Sequence, residues 1–186
     1  MEKNINEKIR KAFQLIYELE PERERLMNPV PNTFNPFWNH PYNVLKNVIQ
    51  LGCSDEETLI SAILHDVLED TNYPSEKLEK EFGGSVLKIV KTISKSKDYS
   101  KENAHIYYNG ISEHPDLEIR KKACFIKFAD RIDNLSEATI VADNSFVKQY
   151  LEETKKHFSK IAEVIKKGKE LETFLKNVET LMKNKT

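Results

Sequence analysis

The stretch Leu59 to Asp70, LISAILHDVLED, narrows the architectures open to this chain more than any other. At ~100° per residue of helix, His65 and Glu69 fall on one line and Asp66 and Asp70 on the next, so four ionisable groups share an arc of roughly 140°. Ala62 sits in the same sector, while Leu59, Ile60, Ile63, Leu64, Val67 and Leu68 take most of the remaining circumference. A helix apolar on nearly every side is surrounded by other elements, here with one polar window. Three carboxylates crowded into that window raise one another's pKa unless a cation neutralises them, and a His-Asp pair with further oxygen donors suits a divalent metal. The same acids near a helix end also fit a plain solvated face, and periodicity alone leaves both readings open.

The rest of the chain reads as helix after helix. Charged residues make up 32% and hydrophobic ones 39% of the 186 residues, with only five glycines, which suits charged outer faces on helices better than a β-rich fold. The length predicts a single domain spanning residues 1–186. Ile5, Ile9, Ala12, Phe13, Ile16 and Leu19 recur at helical spacing up to Pro21. Residues 21–38 read as a connection rich in proline and asparagine, with Phe34, Phe37 and Trp38 as core plugs. His40-Pro41 opens a helix whose apolar face is Tyr42, Val44, Leu45, Val48 and Ile49 and whose stop is Gly52. Ser54 and Glu57 form a capping-box signature for the helix carrying the central stretch, expected to run unbroken to Thr71-Asn72. Short helices follow over 74–82 and 86–93, then a polar one over 101–113. Phe146 to Ile165 and Leu171 to Met182 read as packing helices within a C-terminal region of 144–183.

A net charge of −1 gives no electrostatic case for a nucleic-acid or acidic-membrane partner, and no run approaches the ~20 apolar residues of a membrane span. Cys53 and Cys124 are too few and too far apart for a disulfide framework, so the expectation is two reduced, buried thiols in a cytoplasmic protein. The oligomeric state is left open.

Residues 116–137, DLEIRKKACFIKFADRIDNLSE, form a second apolar helix with a polar stripe. With Asp130 at zero, Asn134 lies at about 40°, Lys127 at about 60° and Arg131 at about 100°. His40, His65, Asp66 and Asp130 therefore each sit on a helix whose other positions are apolar, and together they offer two imidazoles and two carboxylates. That mixed N/O set fits Mn²⁺, Fe²⁺ or a similar ion with positions left for water and a phosphate oxygen. Glu69 and Asp70, one turn beyond, are placed to orient or deprotonate such a water.

The order His40, His65-Asp66, Asp130 resembles the HD metal-dependent phosphohydrolase superfamily, an all-α fold. More narrowly, HPYNVL, HDVLEDT, EFGGSVLKIV and IKFADRIDNL look like the hydrolase domain of the RelA/SpoT family and of small alarmone hydrolases, over about Pro36 to Ala138. The resemblance implies an all-α, single-domain HD-type bundle that removes the 3′-pyrophosphate of (p)ppGpp with Mn²⁺, acting on a small-molecule nucleotide. It makes His40, His65, Asp66 and Asp130 metal ligands and Glu69 and Asp70 the acidic pair that activates water. On the substrate side it implies Asn134 and Lys95, with Lys127 and Arg131 beside them; Arg131 is also suited to bracing a ligand carboxylate.

Two places depart from that pattern. The family carries a basic residue before its first histidine that stacks on guanine, where this chain has Pro31 and no arginine between Arg25 and His40. After Asn134 the family continues with Arg and Thr, where Ser136-Glu137 stand here. A phosphatase acting on another phosphate ester and a non-catalytic nucleotide-binding module are the competing readings. His105, His114 and His157 read as surface residues, and Lys91, Lys95 and Lys97 also fit a solvated face.

Overall fold

The computed structural model describes residues 2–19 and 39–184, with side chains from residue 5 onward. Among the described residues there are ten helices and no strand: α1 (Glu2–Leu19), α2 (Asn39–Gln50), α3 (Glu56–Ile63), α4 (Val67–Asp70), α5 (Ser75–Phe82), α6 (Gly84–Ile93), α7 (Ala104–Ser112), α8 (Leu117–Val141), α9 (Asn144–Val164) and α10 (Gly168–Asn184). The architecture is all-α, as the periodicity predicts. Pro21, Pro31, Phe34, Phe37 and Trp38 lie outside the described residues.

Helix α8 is the axis of the bundle and packs against α2, α3, α6, α7, α9 and α10. Its start is fixed by Asp116, whose side chain accepts from the amides of Glu118 (3.0 Å) and Ile119 (3.2 Å). Neighbouring helices bury all residues from Ala123 to Arg131, so the polar residues in its middle need protein partners. Phe128, Ile126, Ile63, Leu64, Ile89, Ile111 and Phe158 fill the main core, and Leu135, Ala138, Val147, Leu151 and Val178 form a smaller one where α8, α9 and α10 meet. Asn47 of α2 donates to the Ala129 carbonyl at 3.3 Å, tying α2 to α8 beside the polar stripe. No helix among the described residues is long and apolar enough to cross a membrane.

Several boundaries differ from expectation, each for a local reason. The central helix is not continuous: α3 ends at Ile63, His65 and Asp66 form a turn, and α4 restarts at Val67. The carbonyl of Ala62, which an uninterrupted helix would give to the Asp66 amide, accepts from the His65 ring at 2.9 Å. A side chain competing for a backbone partner thus ends the helix at His65-Asp66. The cap of α3 is Asp55, not Ser54, with Asp55 accepting from the Thr58 amide at 3.1 Å and its hydroxyl at 2.7 Å. Lys122 of α8 explains the shift, because it pairs with both Asp55 and Glu57 and draws the latter away from a reciprocal cap. On α2, Tyr42 and Ile49 are exposed although their spacing places them on the apolar face. The helix expected from Lys101 starts at Ala104, and α8 runs past Glu137 to Val141. Both cysteines are free; Cys124 is buried, which pushes its thiol up to about 12, whereas Cys53, expected to be buried, is only half-buried at the edge of α3, where it donates to Asp55 at 3.1 Å.

Candidate metal centre and cleft

The turn at His65-Asp66, the start of α2 and the middle of α8 converge. His40 Nε2 lies 3.0 Å from His65 Nε2, 3.7 Å from Asp66 Oδ2 and 3.2 Å from Asp130 Oδ1. His65 Nε2 lies 3.0 Å from Asp66 Oδ2 and 3.9 Å from Asp130 Oδ1. Both histidines and Asp130 are buried, while Asp66 keeps partial access to solvent.

The outer nitrogens of the two rings decide what the inner ones can do. His65 Nδ1 meets the Ala62 carbonyl, which can only accept, so Nδ1 carries the proton and Nε2 presents a lone pair. His40 Nδ1 meets Asp133 Oδ2 at 2.6 Å and is fixed in the same sense by a carboxylate. Two imidazole nitrogens 3.0 Å apart, flanked by two carboxylate oxygens, require positive charge between them. A divalent ion reaching its ligands at about 2.1 Å holds neighbouring ligands about 3 Å apart, so the donor set fits a metal. Burial opposes a charge on His40, yet hydrogen bonds to Asp130 and Asp133 and the fields of Asp130 and Asp66 raise its pKa from 6.5 to about 9. Uptake of a metal at Nε2 therefore competes with a proton.

Asp130 is held by its own helix. Lys127 Nζ donates to Oδ2 at 2.8 Å, and the Asn134 amide donates to Oδ1. Burial alone would raise the Asp130 pKa, but Lys127 and His40 drive it well below the usual carboxylate range. Asp66 is likewise depressed, with His65 overcoming burial. Lys127 is driven upward despite its burial, chiefly by Asp130, and its ammonium lies 5.4 Å from the centre of the Tyr107 ring.

The centre opens into a cleft of about 950 Å³ lined by His40, Asp66 and Asp130, by Glu69 and Asp70, and by Lys95, Lys127, Arg131 and Asn134. Of the ten residues assigned to the site from the sequence, nine line the cleft; the tenth, His65, reaches Asp66 Oδ2 at 3.0 Å. Glu69 is bound through both oxygens to Lys95, at 3.0 Å to the backbone amide and 2.8 Å to Nζ. Lys95 is thus no merely solvated residue. Arg131 faces α9: it donates to Tyr108 Oη at 2.6 Å and Glu153 Oε1 at 2.9 Å, with its guanidinium 3.9 Å from the Tyr150 ring centre. Its partners are those groups and not a metal-centre carboxylate, because the ~100° step from Asp130 turns it away.

Helix α9, read from sequence as packing alone, also lines the cleft through Lys148, Tyr150, Glu153 and Lys156. His157 lines it too, stacked on Tyr108 at 4.8 Å between ring centres, rather than standing free on the surface. Asp133, Tyr108 and Glu153 escaped the sequence reading. Asp133 had a signal, since it falls about 60° from Asp130 on the side opposite Asn134. Tyr108 and Glu153 lie on other helices and had none.

A family model described as "HD domain" matches residues 22–165. The chain is 34% identical over 134 residues to a guanosine-3′,5′-bis(diphosphate) 3′-pyrophosphohydrolase of Aquifex aeolicus, covering 69% of this chain and 17% of that protein. The guanosine-3′,5′-bis(diphosphate) 3′-pyrophosphohydrolase MESH1 of Drosophila melanogaster is 34% identical over 112 residues, covering 56% of this chain and 57% of its own length. The chain therefore spans less than two thirds of either relative. One from Xenopus tropicalis is 30% identical, covering 70% of each. A solved structure described as a metazoan ortholog of SpoT that hydrolyzes ppGpp superposes with a TM-score of 0.69 at 25% identity, covering 92% of this chain and 93% of that one. With the match extending over most of its length, the chain belongs to the HD domain family.

Proposed function

We propose that this chain is a divalent-metal-dependent phosphohydrolase that removes the 3′-pyrophosphate of a (p)ppGpp-type nucleotide. The observation that carries it is the convergence of His40, His65, Asp66 and Asp130 at the floor of a cleft whose walls bear Lys95, Lys127, Lys148 and Lys156. Anionic substrate and cationic centre belong together in such a site. The names of the relatives point to the same substrate. The mixed imidazole and carboxylate donors favour Mn²⁺ over an all-oxygen Mg²⁺ site. When bound, the ion supplies Lewis acidity toward a phosphate oxygen and lowers the cost of bringing water to it. His40 and Asp130 are pre-set for it by Asp133, Lys127 and Asn134. The acidic pair Glu69-Asp70 serves the activation of the attacking water, Lys95 and Lys127 balance phosphate charge, and Asn134 addresses the ribose side. Arg131 shapes the wall shared with α9. Residues 1–186 act as one HD unit, since α9 supplies part of that wall.

The test compares rates on ppGpp, ppApp, nucleoside monophosphates and a generic phosphodiester with Mn²⁺ and after chelation. The expected result is Mn²⁺-dependent release of pyrophosphate from ppGpp, with weak discrimination between guanine and adenine because no arginine lies between Arg25 and His40. Preference for a monophosphate with no pyrophosphate released rejects the alarmone substrate and leaves the metal phosphohydrolase.

A further inference from the structure

We propose that the adjacent acids divide the labour: Glu69 is a positioning residue that holds Lys95 at the phosphate side of the cleft, and Asp70 alone takes the proton of the attacking water. Both assignments rest on the phosphohydrolase reading above. Glu69 stands on α4, and Lys95 lies 26 residues away in the segment joining α6 to α7. One carboxylate oxygen accepts from the Lys95 backbone amide at 3.0 Å and the other from its Nζ at 2.8 Å. A carboxylate that grips the main chain and the side chain of one residue fixes where that residue is. A general base must instead turn an oxygen toward water.

The grip holds the start of the surrounding segment. Its middle is a self-contained turn, in which the Ser100 amide donates to Asn103 Oδ1 at 2.7 Å and Asn103 Nδ2 donates to the Asp98 carbonyl at 2.7 Å. Tyr99 meets Tyr107 edge-on at 5.5 Å between ring centres, and the Lys95 ammonium lies 5.5 Å from the centre of the Tyr99 ring. The Glu69 bonds are what tie the start of the segment to the element carrying the acids. Lysine has a flexible stem and three rotatable donors, so Nζ can turn to a phosphate oxygen while the amide stays on Glu69. Glu69, Asp70, Lys95 and Tyr99 all line the cleft that holds the metal centre.

In the step itself, the water oxygen bonds to the phosphorus attached to the ribose 3′ oxygen and its proton passes to Asp70. The bond from phosphorus to the 3′ oxygen breaks, the sugar oxygen leaves with the electron pair, and the proton on Asp70 passes to it. Glu69 exchanges no proton.

The experiment uses the Mn²⁺-loaded full chain, with Glu69→Gln, Lys95→Gln, their double variant and Asp70→Asn assayed on ppGpp. Expected are a KM raised about tenfold in each of the first two, a double variant no worse than either, and a kcat lowered about 100-fold in Asp70→Asn with KM little changed. Amide hydrogen exchange at Lys95 should quicken about tenfold in Glu69→Gln, which reads the anchor without turnover. A 100-fold loss of kcat in Glu69→Gln, equal in the parental and Lys95→Gln backgrounds, overturns the division. If the parental protein releases no pyrophosphate from ppGpp, the substrate assignment fails on its own. The anchor then stands or falls on Lys95 exchange and on inorganic pyrophosphate affinity, and no change in either in Glu69→Gln removes it.

Discussion

The two polar windows of the bundle, one at His65-Asp66 and one at Lys127 to Asn134, solve the same problem differently. Each places ionisable groups in an apolar helix, and each delivers side chains to one centre. At the first, His65 takes a backbone carbonyl and the helix breaks between Ile63 and Val67. At the second, Asp130 is satisfied by side chains three residues before and four residues after it, and α8 is unbroken over all its 25 residues. A polar group served by its own helix's side chains leaves the backbone intact, whereas one served by the backbone costs the helix its register. The second arrangement positions by rigidity, and the first lets the turn aim two adjacent side chains at one point.

The sharpest way to break the comparison is Asp130→Ala. It removes a proposed ligand and also leaves the buried Lys127 ammonium without its carboxylate, so a loss of about 3–5 kcal/mol in urea unfolding is expected alongside loss of bound metal. Replacing the pair together, Asp130→Leu with Lys127→Met, should restore most of the stability and none of the metal. Retention of metal by either variant on elemental analysis would take Asp130 out of the ligand set.

Arg131→Met probes the opposite side of the same helix. Glu153 and Tyr108 lose a buried donor there, at a cost of about 2–4 kcal/mol, while metal content stays at the parental level because the guanidinium faces α9. Equal metal loss in Arg131→Met and Asp130→Ala would show that the two faces of α8 do not act separately.

How much of this could be read from residues alone follows the same division. The stripe on α8 is legible because its partners share one helix: an angle computed at ~100° per residue already puts Lys127 and Asn134 beside Asp130, where their hydrogen bonds are found. The bundle itself is legible for the same reason, from apolar spacing in each helix. The break at His65 is not, because nothing in periodicity distinguishes an imidazole that faces inward from one that folds back on Ala62. Nor is the grip of Lys95 on Glu69 or of Arg131 on Glu153, since both join elements that only the packing of helices brings together. The shift of the α3 cap from Ser54 to Asp55 belongs with these, as its cause is Lys122 on α8.

His65→Ala tests the cause assigned to the break. With the ring gone, the Ala62 carbonyl can accept the Asp66 amide, one hydrogen bond replaces another, and stability should move by only about 1 kcal/mol while metal is lost. Backbone chemical shifts over residues 64–66 should turn helical. A turn that persists unchanged would trace the break to the packing of α4 instead.

The smallest effect concerns the contact that joins the two windows' helices. Lys122 of α8 lies 3.3 Å from Asp55 and also pairs with Glu57, both at the start of α3. Burial would raise the Asp55 carboxyl, but bonds from Thr58 and Cys53 and the nearby Lys122 hold it below 3.8, and the Lys122 hydrogen bond holds Glu57 below 4.5. A carboxyl depressed in the folded chain contributes stability that is fully present above its unfolded pKa and is lost as pH falls through the folded one. Both acids are 43% exposed in their side chains, so solvent screening limits the contribution to about 0.2–1 kcal/mol. Lys122→Met should therefore cost no more than this at pH 7, and the difference from the parental chain should shrink as the pH is taken below about 4. Unfolding free energies measured at both pH values decide it. A difference that stays constant with pH would assign the contact to the packing of the lysine stem against α3 rather than to its charge.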